Sequence, residues 1–90
     1  MAAVLMYCTA TCPYCQAAER LLRKKGVTDL EIVRVDLEPQ RRVEMMQRSG
    51  RRTVPQIWIG ARHVGGCDDL YALERQGRLD ELLRELTEAG

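Results

Sequence analysis

Cys12 and Cys15 are separated by Pro13 and Tyr14 and follow an apolar run that ends a few residues earlier. An apolar run before the pair reads as a strand, and the run after it favours a helix. A turn of that kind puts the first sulfur at a helix N-terminus, where unpaired amides and the positive dipole end favour a thiolate. The second sulfur falls within the first turn, close enough to close a disulfide. Pro13 suits that turn because no amide hydrogen is needed there. The pair therefore reads as a redox-active dithiol. The competing reading is half of a zinc site. Zinc wants four ligands, usually from two such pairs. The other candidates are Cys8, Cys67 and the single histidine His63, and none forms a second pair with finger-like spacing.

The elements that must position this pair can be read along the chain. Ala3 to Tyr7 is a short buried strand. Pro13 to Lys25 sends Cys15, Ala18, Leu21 and Leu22 to one side and its charges elsewhere, as an amphipathic helix does, and Gly26 stops it. Glu31 to Asp36 is a second strand. Glu38-Pro39 opens a helix to about Arg48, with Val43 and Met46 expected in the core. Gln56 to Ile59 is a third strand, Gly60-Ala61 a turn, and Arg62 to Val64 a fourth strand. Asp68-Asp69 is expected to cap a helix running to about Gln76. Leu79, Leu82, Leu83 and Leu86 recur at helical spacing in a last amphipathic helix. The order β-α-β-α-β-β-α-α predicts a right-handed parallel crossover in the first half and an antiparallel hairpin later.

Ninety residues suit one small domain, here 1–90, with no linker, repeat or low-complexity stretch. Fourteen basic against thirteen acidic residues give a formal charge of +1. That balance argues against a nucleic-acid binder or a polybasic membrane binder. No apolar run could span a bilayer. The opening residues carry no basic region and run straight into the dithiol, unlike a signal peptide, so a cytoplasmic location is expected. Four cysteines are too few for the dense disulfide scaffolds of small secreted domains.

With three motifs in place, the chain closely resembles the glutaredoxins, and the short bacterial dithiol type most of all. The motifs are Cys12-Pro13-Tyr14-Cys15, Thr53-Val54-Pro55 and Gly65-Gly66-Cys67-Asp68-Asp69. The resemblance spans nearly the whole chain and implies a thioredoxin-like α/β fold, a four-stranded mixed sheet flanked by helices. Taken alone, Pro55 marks a strand start. The resemblance implies instead a cis Val54-Pro55 bond beside the dithiol. The backbone before Pro55 is then free to pair with the cysteine of glutathione like an added strand. It likewise assigns the γ-glutamyl end of glutathione to the Gly66-Cys67-Asp68 segment. The amides of Cys67 and Asp68 would take its carboxylate, and the Asp68 side chain its ammonium. Gln47 and Arg52 match positions that contact the glycine carboxylate, with Arg51 a nearby basic reserve. Arg48 reads as solvated surface. Tyr14 would pack against bound glutathione. Thr9 stands where the family often has lysine, so a charge that would aid the thiolate and the glutathione carboxylate is missing.

The remaining residues read as structural. Cys67 offers its backbone and packs as a small apolar group, Cys8 is an inert neighbour at a strand end, and His63, Trp58, Met45 and Met46 are packing residues. The activity implied by resemblance is glutathione-dependent thiol–disulfide oxidoreduction through Cys12 and Cys15. No bound metal or organic cofactor is needed, and glutathione is the reducing co-substrate. The expected partners are glutathione and disulfide-containing or glutathionylated proteins, with ribonucleotide reductase a candidate, acting on a monomer. Two rivals exist: a redoxin reduced by a thioredoxin reductase, and an iron–sulfur carrier dimer. The Gly-Gly-Cys-Asp-Asp segment and Arg52 oppose the first, and Pro13 after the cysteine opposes the second.

Overall fold

A computed structural model describes residues 3–89. Met1 and Ala2, which begin the opening stretch discussed above, lie outside them, as does Gly90. The order of elements is β1 (Val4–Cys8), α1 (Pro13–Lys24), β2 (Leu30–Arg34), α2 (Pro39–Ser49), β3 (Gln56–Ile59), β4 (Arg62–Gly65), α3 (Cys67–Arg75) and α4 (Leu79–Ala89). The sheet runs β2-β1-β3-β4. Strand β1 is parallel to β2, with Met6 opposite Ile32, and antiparallel to β3, with Met6 opposite Ile57. The β3–β4 pair is the expected antiparallel hairpin, with a register irregularity at Ile57/Trp58. This is the thioredoxin-like fold that the resemblance implies.

Alternation along the strands sorts side chains onto two faces. Val4, Met6 and Cys8 of β1 join Ile57 and Ile59 of β3 on one face. There Ala18, Leu21 and Leu22 of α1, Leu70 of α3, and Leu79 and Leu82 of α4 close the larger core. Met6, Leu22, Ile57, Leu70 and Leu79 are fully buried, and burial of side chains this size is worth roughly 1.5–3 kcal/mol each. The other face carries Tyr7, Val33, Val35 and Trp58 under Met45 of α2. No helix among the described residues is long and apolar enough to cross a membrane.

One core expectation fails on α2. Val43 is 48% exposed, whereas Met46 is partly buried against the core and Met45 is driven fully inside. The positions of this helix that are at least half-buried are Arg41, Arg42, Glu44, Met45, Met46 and Ser49, so most of them are polar. An apolar count therefore overrates Val43. The sheet face opposite is not wholly apolar. The Tyr7 hydroxyl donates to Glu44 Oε2, and Arg48 Nη1 donates to the same hydroxyl at 3.2 Å. The Arg48 guanidinium also lies 4.5 Å over the Trp58 ring. Arg48 is exposed, as the sequence suggests, and from the surface its guanidinium reaches both Tyr7 and Trp58.

Burial, followed by the hydrogen bond to Glu44, pushes the Tyr7 phenol above its ordinary value. The folded protein therefore holds this proton to higher pH than the unfolded chain does. The resulting stability is complete below a pH of about 10 and fades as pH rises through the folded value. Tyr7→Phe should lower stability at pH 7 by about 1 kcal/mol, because Glu44 and Arg48 can rehydrate. It should also flatten the loss of stability above pH 10. Urea unfolding at pH 7 and pH 10.5 checks both.

Candidate functional site

The dithiol sits where β1 gives way to α1. Cys12 is the N-cap of α1, with extended backbone (φ −102°, ψ 106°), and Pro13 takes the first helical turn. The Cys15 N–H points at Cys12 Sγ from 3.2 Å. A donor aimed at that sulfur stabilises negative charge on it. Cys12 is half-buried and Cys15 buried, and all four cysteines are free thiols. Burial raises the Cys15 thiol far above its ordinary value, helped by its hydrogen bond with Cys12. Burial also raises Cys8 and Cys67, with the charges of Asp36 and Asp68 adding to the effect respectively. Cys12 is therefore the one thiol of the four that combines access with a donor.

The Val54–Pro55 bond is cis, as the resemblance implies. The Val54 carbonyl lies 3.9 Å from Cys12 Sγ, which sets the loop ahead of β3 against the dithiol. A cleft of about 410 Å³ opens beside this contact. Its walls come from three places: Tyr14 at the start of α1, the loop residues Arg51, Thr53, Val54 and Pro55, and the β4–α3 junction from Gly66 to Asp69. Of the expected ligand-binding residues, Tyr14, Thr53, Val54, Pro55, Gly66, Cys67 and Asp68 line this cleft. Gln47 and Arg52 are exposed and stand outside its walls, whereas Arg51 is part of them.

The cap of α3 also departs from expectation. Gly66 is the N-cap and Cys67 the first helical residue. Asp69, not Asp68, satisfies an open donor at this helix start: its Oδ2 accepts from the Gly66 N–H at 2.9 Å. The same carboxylate oxygen takes Arg51 Nη1 at 2.9 Å, and these two contacts hold the Asp69 carboxyl below its ordinary range. Asp68 is left exposed at the rim with its carboxylate uncommitted to the cap. An acidic pair at a helix start suggests a cap, but only the third helical position reaches back to the N-cap amide. Gly65 has φ 114°, and a Cβ there would collide with the Asp69 carboxylate, so this glycine is required by the turn.

Sequence reasoning passed over Gln56, the one polar side chain among the described residues that is wholly buried. Its amide nitrogen donates to the Thr53 carbonyl at 3.0 Å, and its oxygen meets His63 Nε2 at 2.8 Å. The signal available in sequence was a glutamine at an inward-facing strand position directly after Pro55. No group of three or more metal-ligating side chains forms among the described residues.

The fold and the Cys12–Cys15 turn define a thiol–disulfide oxidoreductase of thioredoxin-like architecture. A family model described as Glutaredoxin matches residues 4–64. The chain is 55% identical over 83 residues to a Glutaredoxin of Pseudomonas aeruginosa, covering 92% of this chain and 98% of that one. It is 55% identical over 84 residues to Glutaredoxin 3 of Escherichia coli K12, covering 93% and 100%. The solution structure of Glutaredoxin from Brucella melitensis superposes with a TM-score of 0.79 at 52% identity, over 92% of this chain and 89% of that one. The crystal structure of a buckwheat glutaredoxin–glutathione complex gives 0.86 at 28% identity, over 94% and 79%. The chain belongs to the glutaredoxin family. Its activity is glutathione-dependent thiol–disulfide oxidoreduction.

Alkylation by iodoacetamide at neutral pH, followed by mass spectrometry, should find Cys12 modified first. Faster modification at Cys8, Cys15 or Cys67 would contradict the ranking that burial and access impose.

Proposed function

We propose that the single domain reduces glutathione mixed disulfides and protein disulfides, with Cys12 as nucleophile and Cys15 as resolving thiol. The observation that carries this reading is the half-buried Cys12 sulfur, which receives the Cys15 N–H and stands 3.9 Å from the Val54 carbonyl at the edge of the cleft. On a glutathione mixed disulfide, the Cys12 thiolate attacks the glutathione sulfur. The Cys12–glutathione bond forms, the old disulfide bond breaks, and the substrate leaves as a thiolate that takes up a proton. A second glutathione, as thiolate, attacks the glutathione sulfur on Cys12, giving glutathione disulfide and restoring the Cys12 thiolate. On a protein disulfide, Cys12 attacks one sulfur and frees the other. Cys15 then loses its proton, attacks Cys12, and expels the protein as a thiolate. The Cys12–Cys15 disulfide is reduced by two glutathione molecules. The raised Cys15 thiol suits this order, since it waits protonated until the intermediate forms.

Glutathione lies along the cleft in this reading. Its cysteine pairs with the Val54 backbone and its γ-glutamyl end meets the amides of Cys67 and Asp68 and the Asp68 carboxylate. Tyr14, 65% exposed, covers it from one side. Thr53, Pro55 and Gly66 shape the walls. The glycine carboxylate meets Gln47 and Arg52, with Arg51 of the cleft wall as a basic reserve. The buckwheat protein in its glutathione complex has the same fold, which supports this placement. In this reading the protein is a cytoplasmic monomer that serves glutathionylated proteins and ribonucleotide reductase.

Cys15→Ser should keep turnover of a small glutathione mixed disulfide, coupled to glutathione reductase, and lose most reduction of protein disulfides. Loss of both activities in a folded variant would contradict the route through Cys12 alone. Asp68→Ala should raise KM for the glutathione substrate about tenfold, the loss of one charge-assisted hydrogen bond, with little change in the attack by Cys12. Because Asp68 does not cap α3, its removal should leave the melting temperature nearly unchanged. Unchanged KM in the folded variant would remove the γ-glutamyl assignment.

A further inference from the structure

Gln56 begins β3, directly after Pro55, and is 0% exposed. A buried carboxamide is costly unless each end is satisfied. Here both are. Nε2 donates to the Thr53 carbonyl at 3.0 Å and approaches Thr53 Oγ1 at 3.3 Å. Oε1 meets His63 Nε2 at 2.8 Å.

The orientation of this amide follows from its partners. A carbonyl only accepts, so the NH2 end must face Thr53 and the oxygen must face His63. His63 Nε2 must then carry a proton. The imidazole is itself fixed by stacking on Trp58, with ring centres 4.5 Å apart at 32°. Burial, followed by the charge of Arg51, lowers the His63 pKa. The contact survives either state, because both ring nitrogens of a charged imidazole are donors.

The consequence falls on the peptide between Thr53 and Val54. Val54–Pro55 is the one cis bond among the described residues, so the Thr53–Val54 plane is trans. In a trans peptide the C=O and N–H point to opposite sides. Drawing the Thr53 oxygen to the buried Gln56 amide turns the Val54 N–H away from it. That N–H makes no backbone hydrogen bond among the described residues. The Val54 carbonyl meanwhile faces Cys12 Sγ.

We infer that Gln56 is a positioning residue: its buried amide, oriented by His63, fixes the Thr53–Val54 peptide so that the Val54 N–H is presented to the ligand. The inference rests on the proposed pairing of glutathione with the Val54 backbone. Gln56 touches neither sulfur nor substrate in this role.

The test uses the full chain and the mixed disulfide of glutathione with 2-mercaptoethanol. Gln56→Met keeps length and burial but removes both hydrogen-bonding ends. KM should rise by roughly fivefold or more, the equivalent of one lost hydrogen bond, while kcat and the rate of Cys12 alkylation by iodoacetamide stay within twofold of the parent. An unchanged KM overturns the inference. So does a parallel fall of kcat and alkylation rate, which would mark Gln56 as a general packing residue. His63→Leu, which frees the amide oxygen, should move KM in the same direction by a smaller factor. Nitrogen NMR of the unsubstituted protein should find the neutral His63 ring protonated on Nε2. An Nδ1-protonated ring overturns the network whether or not a variant folds. Turnover by the unsubstituted protein checks the glutathione reading separately, since its failure would leave the tautomer result standing.

Discussion

The antiparallel register of β1 on β3 is the constraint from which the site follows. Tyr7, near the end of β1, lies opposite Gln56, the first residue of β3. The chain leaving β1 toward Cys12 and the chain entering β3 from Pro55 must therefore meet at the same end of the sheet. The β3–β4 hairpin adds the third part. Ile57, near the start of β3, lies opposite Gly65, the last residue of β4, so Gly66 and the first turn of α3 arrive at that end too. Three segments far apart in sequence converge because neighbouring strands alternate in direction. Slipping β3 by one residue would turn Ile57 and Ile59 out of the larger core, and would move the Pro55 loop away from Cys12. Packing of the core thus enforces the geometry of the chemistry.

The two faces of the sheet divide the work. The face under α1, α3 and α4 is apolar and anchors the helix whose N-terminus carries Cys12. The face under α2 is mixed: Tyr7, Trp58, His63 and Gln56 stand in adjacent register positions and are tied by hydrogen bonds, stacking and the Arg48 cation. A mixed face of this kind gives less energy per unit area than an apolar one. It fixes directions better, because a hydrogen bond has a preferred geometry and burial does not. The direction it fixes is that of the loop before β3.

Most of the architecture was legible because it rests on local signals. Pro13 and Gly26 bound α1, and its buried stripe of Cys15, Ala18, Leu21 and Leu22 is the one that periodicity selects. Gly60-Ala61 marks the hairpin that the structure contains. The dithiol and the cleft segments were legible as three short motifs. The failures share a cause. Val43 and the Asp68–Asp69 cap were judged by residue type and Gln56 was passed over, whereas their roles depend on what stands opposite. The exposed Arg48 joins the polar network from outside because Trp58 and Tyr7 lie across from it, and no periodicity of α2 carries that information. Asp69 outranks Asp68 because the helix starts at Cys67, and a shift of one residue decides which carboxylate reaches the Gly66 amide.

That shift also separates two charges that look redundant in sequence. Asp69 is bound to the Gly66 N–H and to Arg51, so its carboxylate spans the β4–α3 junction and the loop after α2. It ties two walls of the cleft together through its Oδ2, which takes both contacts. Asp68 stands one position earlier, exposed on the rim. Exposed helix-start amides attract a carboxylate, and an adjacent free carboxylate attracts an ammonium. A ligand end carrying both groups on one carbon satisfies both at once, while a lone carboxylate or a lone amine satisfies only half of the arrangement. In the proposed reading, selectivity for an amino-acid terminus over a simple acid follows from leaving Asp68 clear of the cap, which Asp69 takes over.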